Sequence, residues 1–160
     1  MNTEALPKLS HWTKIYAESR GLKVWHQPAT TSTNDEAKAN HKFDLFLTDH
    51  QTSGRGRSTN LWQDRSGGAN LLSSWCFQLA SPAQHISGAV WGLAIYRAAK
   101  KTWPENKWSL KAPNDLLLNG KKIAGLLLES VSQGTSHRLV VGLGFNAARA
   151  PESMAQATPL

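Results

Sequence analysis

The chain has 160 residues, of which 40% are hydrophobic and 18% charged, and its formal net charge is +7. These values describe an ordinary globular protein, long enough to bury a core within one domain, and no apolar run approaches the length of a membrane span. The single cysteine, Cys76, excludes an internal disulfide, so we expect a reducing, cytoplasmic compartment, and the short apolar runs lead us to expect no membrane partner.

The N-terminal part of the chain is predicted to alternate helices and strands. Apolar spacing predicts a helix at Leu9–Ser19 and a strand over residues 22–26. Thr33 followed three positions later by Glu36 fits a capping box, which predicts a second helix running to about residue 40. The start of that helix would offer backbone N–H groups and hydroxyls to an anion or a polar ring, although a plain helix cap explains the same pattern.

A glycine- and arginine-rich loop follows a strand predicted over residues 43–48. Residues 52–60 contain no apolar side chain that could fold into a packed element. Their two glycines allow close backbone approach, and Arg55 and Arg57 offer planar forks for phosphate or carboxylate. We expect this loop to be mobile until an anionic ligand orders it, and a simple flexible connection is the alternative.

The middle of the chain is predicted to form a strand and then the longest helix. Apolar and polar residues alternate along Leu71–Leu79, which indicates a half-buried strand and makes Cys76 a packing residue rather than a nucleophile. A helix is expected over residues 86–102, followed by a strand over residues 107–111. The apolar stripe of that helix, the side expected to be buried, comprises Ile86, Val90, Leu93, Ala94 and Ala98.

A hairpin is the strongest local prediction. Apolar runs at residues 116–118 and 123–128 flank Asn119-Gly120, and both turn residues accept positive φ. Alternation along the second strand sends Lys121 and Lys122 to opposite faces of the sheet, so one lysine should face a pocket. Two solvated turn lysines are the alternative.

The predicted order of elements is helix, strand, helix, two strands, helix and four strands. Late strands joined by short turns pair antiparallel, which indicates an α+β fold rather than a doubly wound one. The last strand is expected over residues 138–142, and residues 151–160 are expected to form a tail.

Short polar motifs recur along residues 22–146 in a fixed order. They are Ser32-Thr33-Asn34, Gln51 with Gly54-Arg55-Gly56-Arg57, Trp62, Gly68-Ala69-Asn70, Lys111 with Pro113-Asn114-Asp115, Lys122-Ile123-Ala124-Gly125, and Gly142-x-Gly144-x-Asn146. Each motif is weak alone, but the set is specific because order and gaps agree. On these motifs the chain resembles the catalytic domain of biotin protein ligases.

The resemblance implies a fold, a reaction and partners. The fold would be a mixed, largely antiparallel β-sheet backed by helices, similar to class II aminoacyl-tRNA synthetases and lipoate ligases. The family makes biotinyl-5′-AMP from biotin and ATP with Mg²⁺, and then transfers biotin to a lysine of a biotin carboxyl carrier protein of acetyl-CoA carboxylase. The chain would be one catalytic domain over residues 1–160, without a DNA-binding domain or a C-terminal barrel, and the family also allows a homodimer.

The resemblance also assigns roles to individual residues. The biotin-binding set would be Ser32, Thr33, Asn34, Gln51, Gly54, Arg55, Lys122 and Gly125. The nucleotide-binding set would be Arg55, Arg57, Trp62, Asn70, Lys111, Asn114 and Asn146. Catalysis would fall to Lys122, Arg57 and Asp115. Asp115 would take a proton from the acceptor lysine, or hold Mg²⁺ or a hydrogen bond.

One departure and three alternatives complete the prediction. The family usually has Trp where this chain has Ala112, which removes a large wall residue from the pocket.

A lipoate ligase or octanoyltransferase is one alternative, but octanoyltransferases place their cysteine downstream of the lysine, whereas Cys76 lies upstream of Lys122. A non-catalytic module that binds biotin or its adenylate is another. A nucleic-acid binder has only the net charge to support it, and no such partner is expected.

Overall fold

The computed structural model describes residues 8–58, 60–63, 68–148 and 158–160. Within these ranges the chain forms three helices and seven strands, in the predicted order. The helices are α1 (Leu9–Ser19), α2 (Thr33–Ala39) and α3 (Ser87–Thr102). The strands are β1 (Val24–Gln27), β2 (Leu45–Thr48), β3 (Leu71–Leu79), β4 (Trp108–Lys111), β5 (Asp115–Leu118), β6 (Lys121–Gln133) and β7 (Ser136–Phe145).

All seven strands form one sheet in the order β1-β2-β3-β7-β6-β5-β4. The β1–β2 pair is parallel, and the other neighbouring pairs are antiparallel. The predicted α+β fold with a mixed, largely antiparallel sheet is therefore confirmed. In the part of the chain that the structure describes, no helix is both long and apolar enough to cross a membrane.

Helices cover both faces of the sheet. Ala17 of α1 packs with the buried Leu45 and Leu47 of β2, whereas Ala37 of α2 packs with Phe46 between them. Since successive strand residues point to opposite faces, α1 and α2 lie on opposite sides. Ile95 of α3 and Trp75 of β3 pack on one buried cluster, and Trp75 also packs on the cluster that Ala17 of α1 joins, so α3 shares the α1 side.

The predicted buried stripe of α3 is wrong. Ile86 is 62% exposed, Val90 55% and Leu93 40%, and Ala94 and Ala98 also face solvent. The helix buries its other side, where Gly92 and Ala99 are the buried residues and Ile95 and Tyr96 pack on the core. A side chain at Gly92 would stand 3.1 Å from the Pro113 carbonyl oxygen, so the helix approaches the sheet through its smallest residue. Periodicity reveals an apolar stripe but does not choose between two stripes on one helix.

The hairpin is confirmed, and it contains one extra residue. Asn119 and Gly120 form the turn with φ of 52° and 76°. Leu116 pairs with Ala124 while Leu117 pairs with Lys122, so Ile123 has no partner of its own and forms a bulge. The bulge puts Lys122 on the sheet face of Gly125, although unbroken alternation would have put the two residues on opposite faces.

The predicted C-terminal tail lies mostly outside the described residues. Of residues 151–160 the structure describes 158–160. The Thr158 N–H donates to the Lys122 carbonyl at 2.9 Å, and the Leu160 N–H donates to the Asn146 carbonyl at 3.1 Å. The end of the chain therefore meets the start of β6 and the residue that follows β7.

Candidate functional site

A pocket opens on the α2 side of the sheet, over β6 and β7. The start of α2 forms one wall, and the described part of residues 55–62 forms the cover. Most of the predicted site residues line it, namely Ser32, Thr33, Asn34, Gln51, Arg55, Arg57, Trp62, Asn114, Asp115, Lys122 and Gly125. Folding thus brings together side chains that come from a helix start, a loop and several strands.

The start of α2 does not use the predicted capping box. Ser32 is the cap residue, one position before the prediction, and its side chain makes no capping hydrogen bond. The Thr33 N–H instead donates to Gln51 Oε1 at 2.8 Å, and Glu36 accepts a hydrogen bond from the Thr30 hydroxyl at 2.7 Å. A side chain from outside the helix therefore satisfies the donor that a capping box would have satisfied.

Asn34 is the most connected polar residue of this wall. Its Nδ2 donates to Glu129 Oε2 at 2.8 Å and to the Leu127 carbonyl at 3.2 Å. Its Oδ1 accepts from the Ser74 hydroxyl at 2.5 Å. A side chain at Gly142 would overlap the Asn34 amide, which explains why glycine occupies this position of β7.

Four charged side chains form a cluster at the edge of the pocket. Arg55 Nη2 lies 2.7 Å from both Asp35 Oδ1 and Glu129 Oε2, and Lys38 Nζ lies 2.9 Å from Glu129 Oε1 and 3.0 Å from Asp35 Oδ1. Burial by itself would raise the pKa of Glu129. Hydrogen bonds from Lys38, Asn34 and Arg55 outweigh the burial and hold that pKa below its usual value.

Lys122 and Asp115 form an ion pair inside the pocket. Lys122 Nζ lies 2.8 Å from Asp115 Oδ1, and the ammonium also stands 5.7 Å from the centre of the Trp62 ring. Asp115 pairs with Gly125 across β5 and β6, so the hairpin register and its bulge bring the two charges to one face. This arrangement holds a compact cation at a fixed place beside a carboxylate.

Trp62 lies directly on the glycines of the pocket floor. A side chain at Gly144 would overlap the indole ring, and one at Gly125 would stand 3.2 Å from Trp62 Cζ3. The buried indole Nε1 has no hydrogen-bond partner within the described structure. The glycines of both floor strands are therefore needed for an aromatic ring to approach the backbone.

Four predicted site residues do not line this pocket. Gly54 is buried within the loop, where its carbonyl accepts from the Trp62 N–H at 2.9 Å, and Lys111 is exposed on β4 opposite Asp115. Asn70 and Asn146 are buried where β3 begins and β7 ends. Both carry a buried amide oxygen without a partner among the described residues.

The residues that the sequence analysis missed hold the predicted site residues in place. Asp35, Glu129 and Ser74 each bond to a predicted site residue. Among these three residues only Glu129 has a sequence signal, since it is a charge directly after the apolar run of residues 123–128, on the same alternating face as Gly125. Ser74 and Asp35 carry no such signal, because their contacts are made across the fold.

Asp115 is the pocket carboxylate that could contribute to a metal site. Across the described ranges no three His, Cys, Asp or Glu side chains come together as metal ligands do. Mg²⁺ in nucleotide sites is held by one or two carboxylates together with substrate phosphates, so a single carboxylate fits that kind of site.

Sequence comparison relates this chain to a group of ligases. Residues 22–146 match the Biotin/lipoate A/B protein ligase family. The biotin–[acetyl-CoA-carboxylase] ligase of Paracoccus denitrificans is 38% identical over 112 residues, which are 67% of this chain and 45% of that protein. The enzyme of the same name from Mycobacterium tuberculosis is 33% identical over 144 residues, 84% of this chain and 52% of that protein. The chain thus spans about half the length of these relatives.

Solved structures give the same relation. Biotin protein ligase from Aquifex aeolicus, in complex with biotin and ATP, superimposes with a TM-score of 0.70 at 28% identity, over 86% of this chain and 59% of that one. The Leishmania major biotin protein ligase, in complex with biotinyl-5-AMP, gives a TM-score of 0.69 at 26% identity, over 86% and 62% of the two chains.

Proposed function

The chain belongs to the biotin/lipoate A/B protein ligase family, and from that premise we propose that it is a biotin protein ligase. It would activate biotin with ATP to biotinyl-5′-AMP and transfer biotin to a lysine of a biotin carboxyl carrier protein. The observation that carries this proposal is the Lys122–Asp115 pair, 2.8 Å apart, beside a glycine-floored pocket walled by the start of α2. The names and ligands of the relatives support it.

In the first step a carboxylate attacks a phosphate, and both carry negative charge. The biotin carboxylate oxygen bonds to the α-phosphorus of ATP, and pyrophosphate leaves. Lys122 and Arg57 are the pocket cations that would offset this charge as it builds on the phosphoryl oxygens. The hydroxyls and amides of Ser32, Thr33 and Gln51 would receive the polar biotin ring system.

In the second step the amine of the acceptor lysine attacks the biotinyl carbonyl, and AMP leaves. The amine must lose a proton, and Asp115 is the carboxylate beside the reacting atoms that could accept it. Asp115 also fixes the Lys122 ammonium through their ion pair. Asp115 is also the residue that would hold Mg²⁺, and the ion would supply charge neutralisation for the reacting phosphate.

The nucleotide would lie toward the exposed end of this site. Trp62 offers an aromatic face for a base, and the buried amide oxygens of Asn70 and Asn146 are acceptors without described partners. Asn114 and Lys111 would stand at the side of β5 and β4. We further propose that the 160 residues act as one catalytic domain in the cytoplasm, with acetyl-CoA carboxylase as the source of the acceptor and a homodimer as the assembly.

Mass spectrometry tests the whole proposal at once. The chain is mixed with biotin, MgATP and a carrier domain, and we expect the carrier to gain one biotinyl group. Omission of ATP is one control and should abolish the gain, and the Lys122→Ala variant is the other and should slow it on the order of 10²–10³-fold. A carrier that keeps its mass, together with the absence of pyrophosphate release, would contradict ligase activity.

A non-catalytic module that binds biotin or its adenylate is the second candidate. The observation in its favour is that the pocket with its glycine floor would serve binding alone equally well. A single-turnover assay separates the two candidates, because a binder would retain biotin affinity and release no pyrophosphate.

Acyl transfer through a cysteine is less well supported. Cys76 packs against Phe46 and Val140 and does not line the pocket, and burial raises the pKa of its thiol. A thiol with these properties is a poor nucleophile near neutral pH.

A further inference from the structure

The charged cluster at the pocket edge joins three separate parts of the chain. Arg55 comes from the glycine- and arginine-rich loop, Asp35 and Lys38 come from α2, and Glu129 comes from β6. Two cations face two carboxylates, so the cluster is electrically balanced within itself. None of these four residues is adjacent to another in sequence, so folding alone brings them together.

Glu129 is the centre of this cluster. Its two carboxylate oxygens accept from Asn34 Nδ2, Lys38 Nζ and Arg55 Nη2 at 2.8, 2.9 and 2.7 Å. Its side chain is 22% exposed, less than those of Arg55 and Lys38. Charge-assisted hydrogen bonds of this length are among the stronger ones in proteins, and partial burial protects them from screening by salt.

The contacts of Arg55 change the role expected for it. Its guanidinium is committed to two carboxylates, so it is not an open cation waiting for an anionic ligand. Arg57 lines the same pocket, and among the described residues no carboxylate pairs with it. An anion that enters the pocket therefore meets Arg57, and Lys122 with Asp115 as its single carboxylate partner among the described residues, rather than Arg55 with its two.

We propose that Glu129 is a positioning residue of the biotin site. It fixes Arg55, and with it the beginning of the loop, against the start of α2 that carries Thr33 and Asn34, before any ligand binds. The proposal rests on the ligase function for its effect on biotin. Its effect on the loop is independent of that function, because the contacts are those of the chain by itself.

The chemistry of the carboxylate explains why a neutral isostere should fail. A carboxylate only accepts hydrogen bonds and has about four lone-pair positions, which suits three donors. The amide of Glu129→Gln has one oxygen and an NH₂ group that would meet the same donors. It would also leave Arg55 and Lys38 with Asp35 as their remaining counter-charge.

Amide exchange of the ligand-free chain is the first test. The Trp62 and Gly56 N–H groups are bonded to the carbonyls of Gly54 and Asn60, on either side of Arg55. In Glu129→Gln we expect these two amides to exchange about tenfold faster, the effect of losing one charge-assisted hydrogen bond. Glu18→Gln is the matched control, because the one ion pair of Glu18 among the described residues is with Lys14 on the α1 surface, and it should leave both amides unchanged.

Kinetics provide the second test. In Glu129→Gln we expect the KM for biotin to rise about tenfold with kcat little changed, because the lost interaction serves binding of ground state and transition state alike. Arg55→Gln should give a similar rise, and the double variant should be no worse than either single one, because the two residues act as a unit. If the effects of the two single variants add up in the double variant, or if kcat alone falls, the positioning role is overturned.

The two tests separate failure of this inference from failure of the ligase function. If Glu129→Gln leaves the Trp62 and Gly56 amides unchanged, the inference is wrong even for an active ligase. If the two amides respond but neither the parent chain nor any variant releases pyrophosphate, the ligase function is wrong. The fixing of Arg55 by Glu129 would still stand. Should Glu129→Gln not fold, Asp35→Asn removes the other carboxylate from Arg55 at a more exposed position. It should shift the same amides in the same direction by less, and no shift there would also overturn the inference.

Discussion

A single inserted residue decides what Lys122 can do. The sequence predicts that Lys121 and Lys122 point to opposite faces, and the exposed Lys121 and pocket-lining Lys122 confirm it. The bulge at Ile123 was not predicted, because no residue type in that run marks one. Without the bulge, Lys122 would not share a face with Gly125 and would not meet Asp115.

Substitution of the two lysines should give separate results. Lys121→Ala removes an exposed charge and should change the free energy of unfolding by no more than about 0.5 kcal/mol. Lys122→Ala removes a fixed cation from the reacting atoms, which typically costs on the order of 10²–10³ in rate, or about 3–4 kcal/mol. Lys122→Arg should restore only part of the rate, because a planar fork does not replace a compact ammonium.

Pyrophosphate release is the measurement for all three variants. Lys121→Ala serves as the matched control, since it removes the same charge one residue away. Equal losses for Lys121→Ala and Lys122→Ala, or near-normal release by Lys122→Ala, would disprove both the assignment of faces and the catalytic role.

Arg57 should matter most after the adenylate has formed. It lines the pocket without a counter-charge in the described structure, so its guanidinium is available to the phosphate of a bound adenylate. We expect Arg57→Gly to speed loss of biotinyl-AMP by roughly tenfold, the worth of one charged hydrogen bond, and to slow its formation less. Hydrolysis of released adenylate is the readout, and Arg97→Ala on the exposed side of α3 is the control. If formation and retention fall equally, Arg57 has a wider role.

The positions of the helices and strands along the chain were predicted far better than the sides that they bury. Leu9–Ser19 and Leu71–Leu79 have the predicted bounds, because caps and alternation are local signals. The buried side of α3 was predicted wrongly, because only the sheet, through Pro113 and Leu110, selects the side that carries Gly92. The capping box at Thr33 failed for a similar reason, since its donor is satisfied by Gln51 from a distant strand end.

The loop should respond to ligand unevenly along its length. The expectation of a mobile stretch over residues 52–67 stays a prediction, and residues 59 and 64–67 lie outside the described structure. Arg55 is tied to Asp35 and Glu129, so we expect the ligand-dependent part to begin after it. Amide exchange over residues 57–61, between the bonded amides of Gly56 and Trp62, should slow when biotin and ATP are added. Exchange that is already slow in the free chain would contradict this.

At the scale of the whole molecule, two carboxylates should make folding sensitive to acid. Burial alone would raise the pKa of Asp49, but hydrogen bonds from Lys8 and Ser10 hold that pKa below its usual value. The pKa of Glu129 is also held below its usual value by hydrogen bonds that outweigh burial. A carboxyl group whose pKa is lower in the folded state than in the unfolded state stabilises the fold at pH values above the unfolded-state pKa. That contribution is lost as the pH falls. The pH range in which this stability is lost therefore lies below the ordinary pKa values of 4.5 for Glu129 and 3.8 for Asp49.

Urea unfolding at several pH values is the measurement of this effect. We expect the parent chain to lose more stability between pH 6 and about pH 3 than Asp49→Asn or Glu129→Gln, which have no such carboxylate to protonate. Glu18→Gln, whose carboxylate is exposed, should follow the parent chain. Parallel curves for the parent chain and both variants would show that neither pKa shift affects folding.

The overall architecture followed from the order of elements and from the motifs, whereas the cluster that organises the pocket did not. Lys122, Asp115 and Thr33 carry motif signals and were predicted to lie together, as they do. Glu129 and Asp35 are ordinary surface residue types whose partners lie on other elements, and a single sequence holds no trace of such contacts.

The order of strands in the sheet also bears on how this chain reaches its folded state. β3 pairs along its whole length with β7, so Leu71 meets Phe145 and Leu79 meets His137. Pairing between strands so distant along the chain must close a long loop before any contact stabilises it, which is typical of slow folding. During synthesis β3 would wait with one unpaired edge until β7 emerges. The part of the pocket floor around Gly142, which pairs with Ser74, therefore cannot form before β7 has been made.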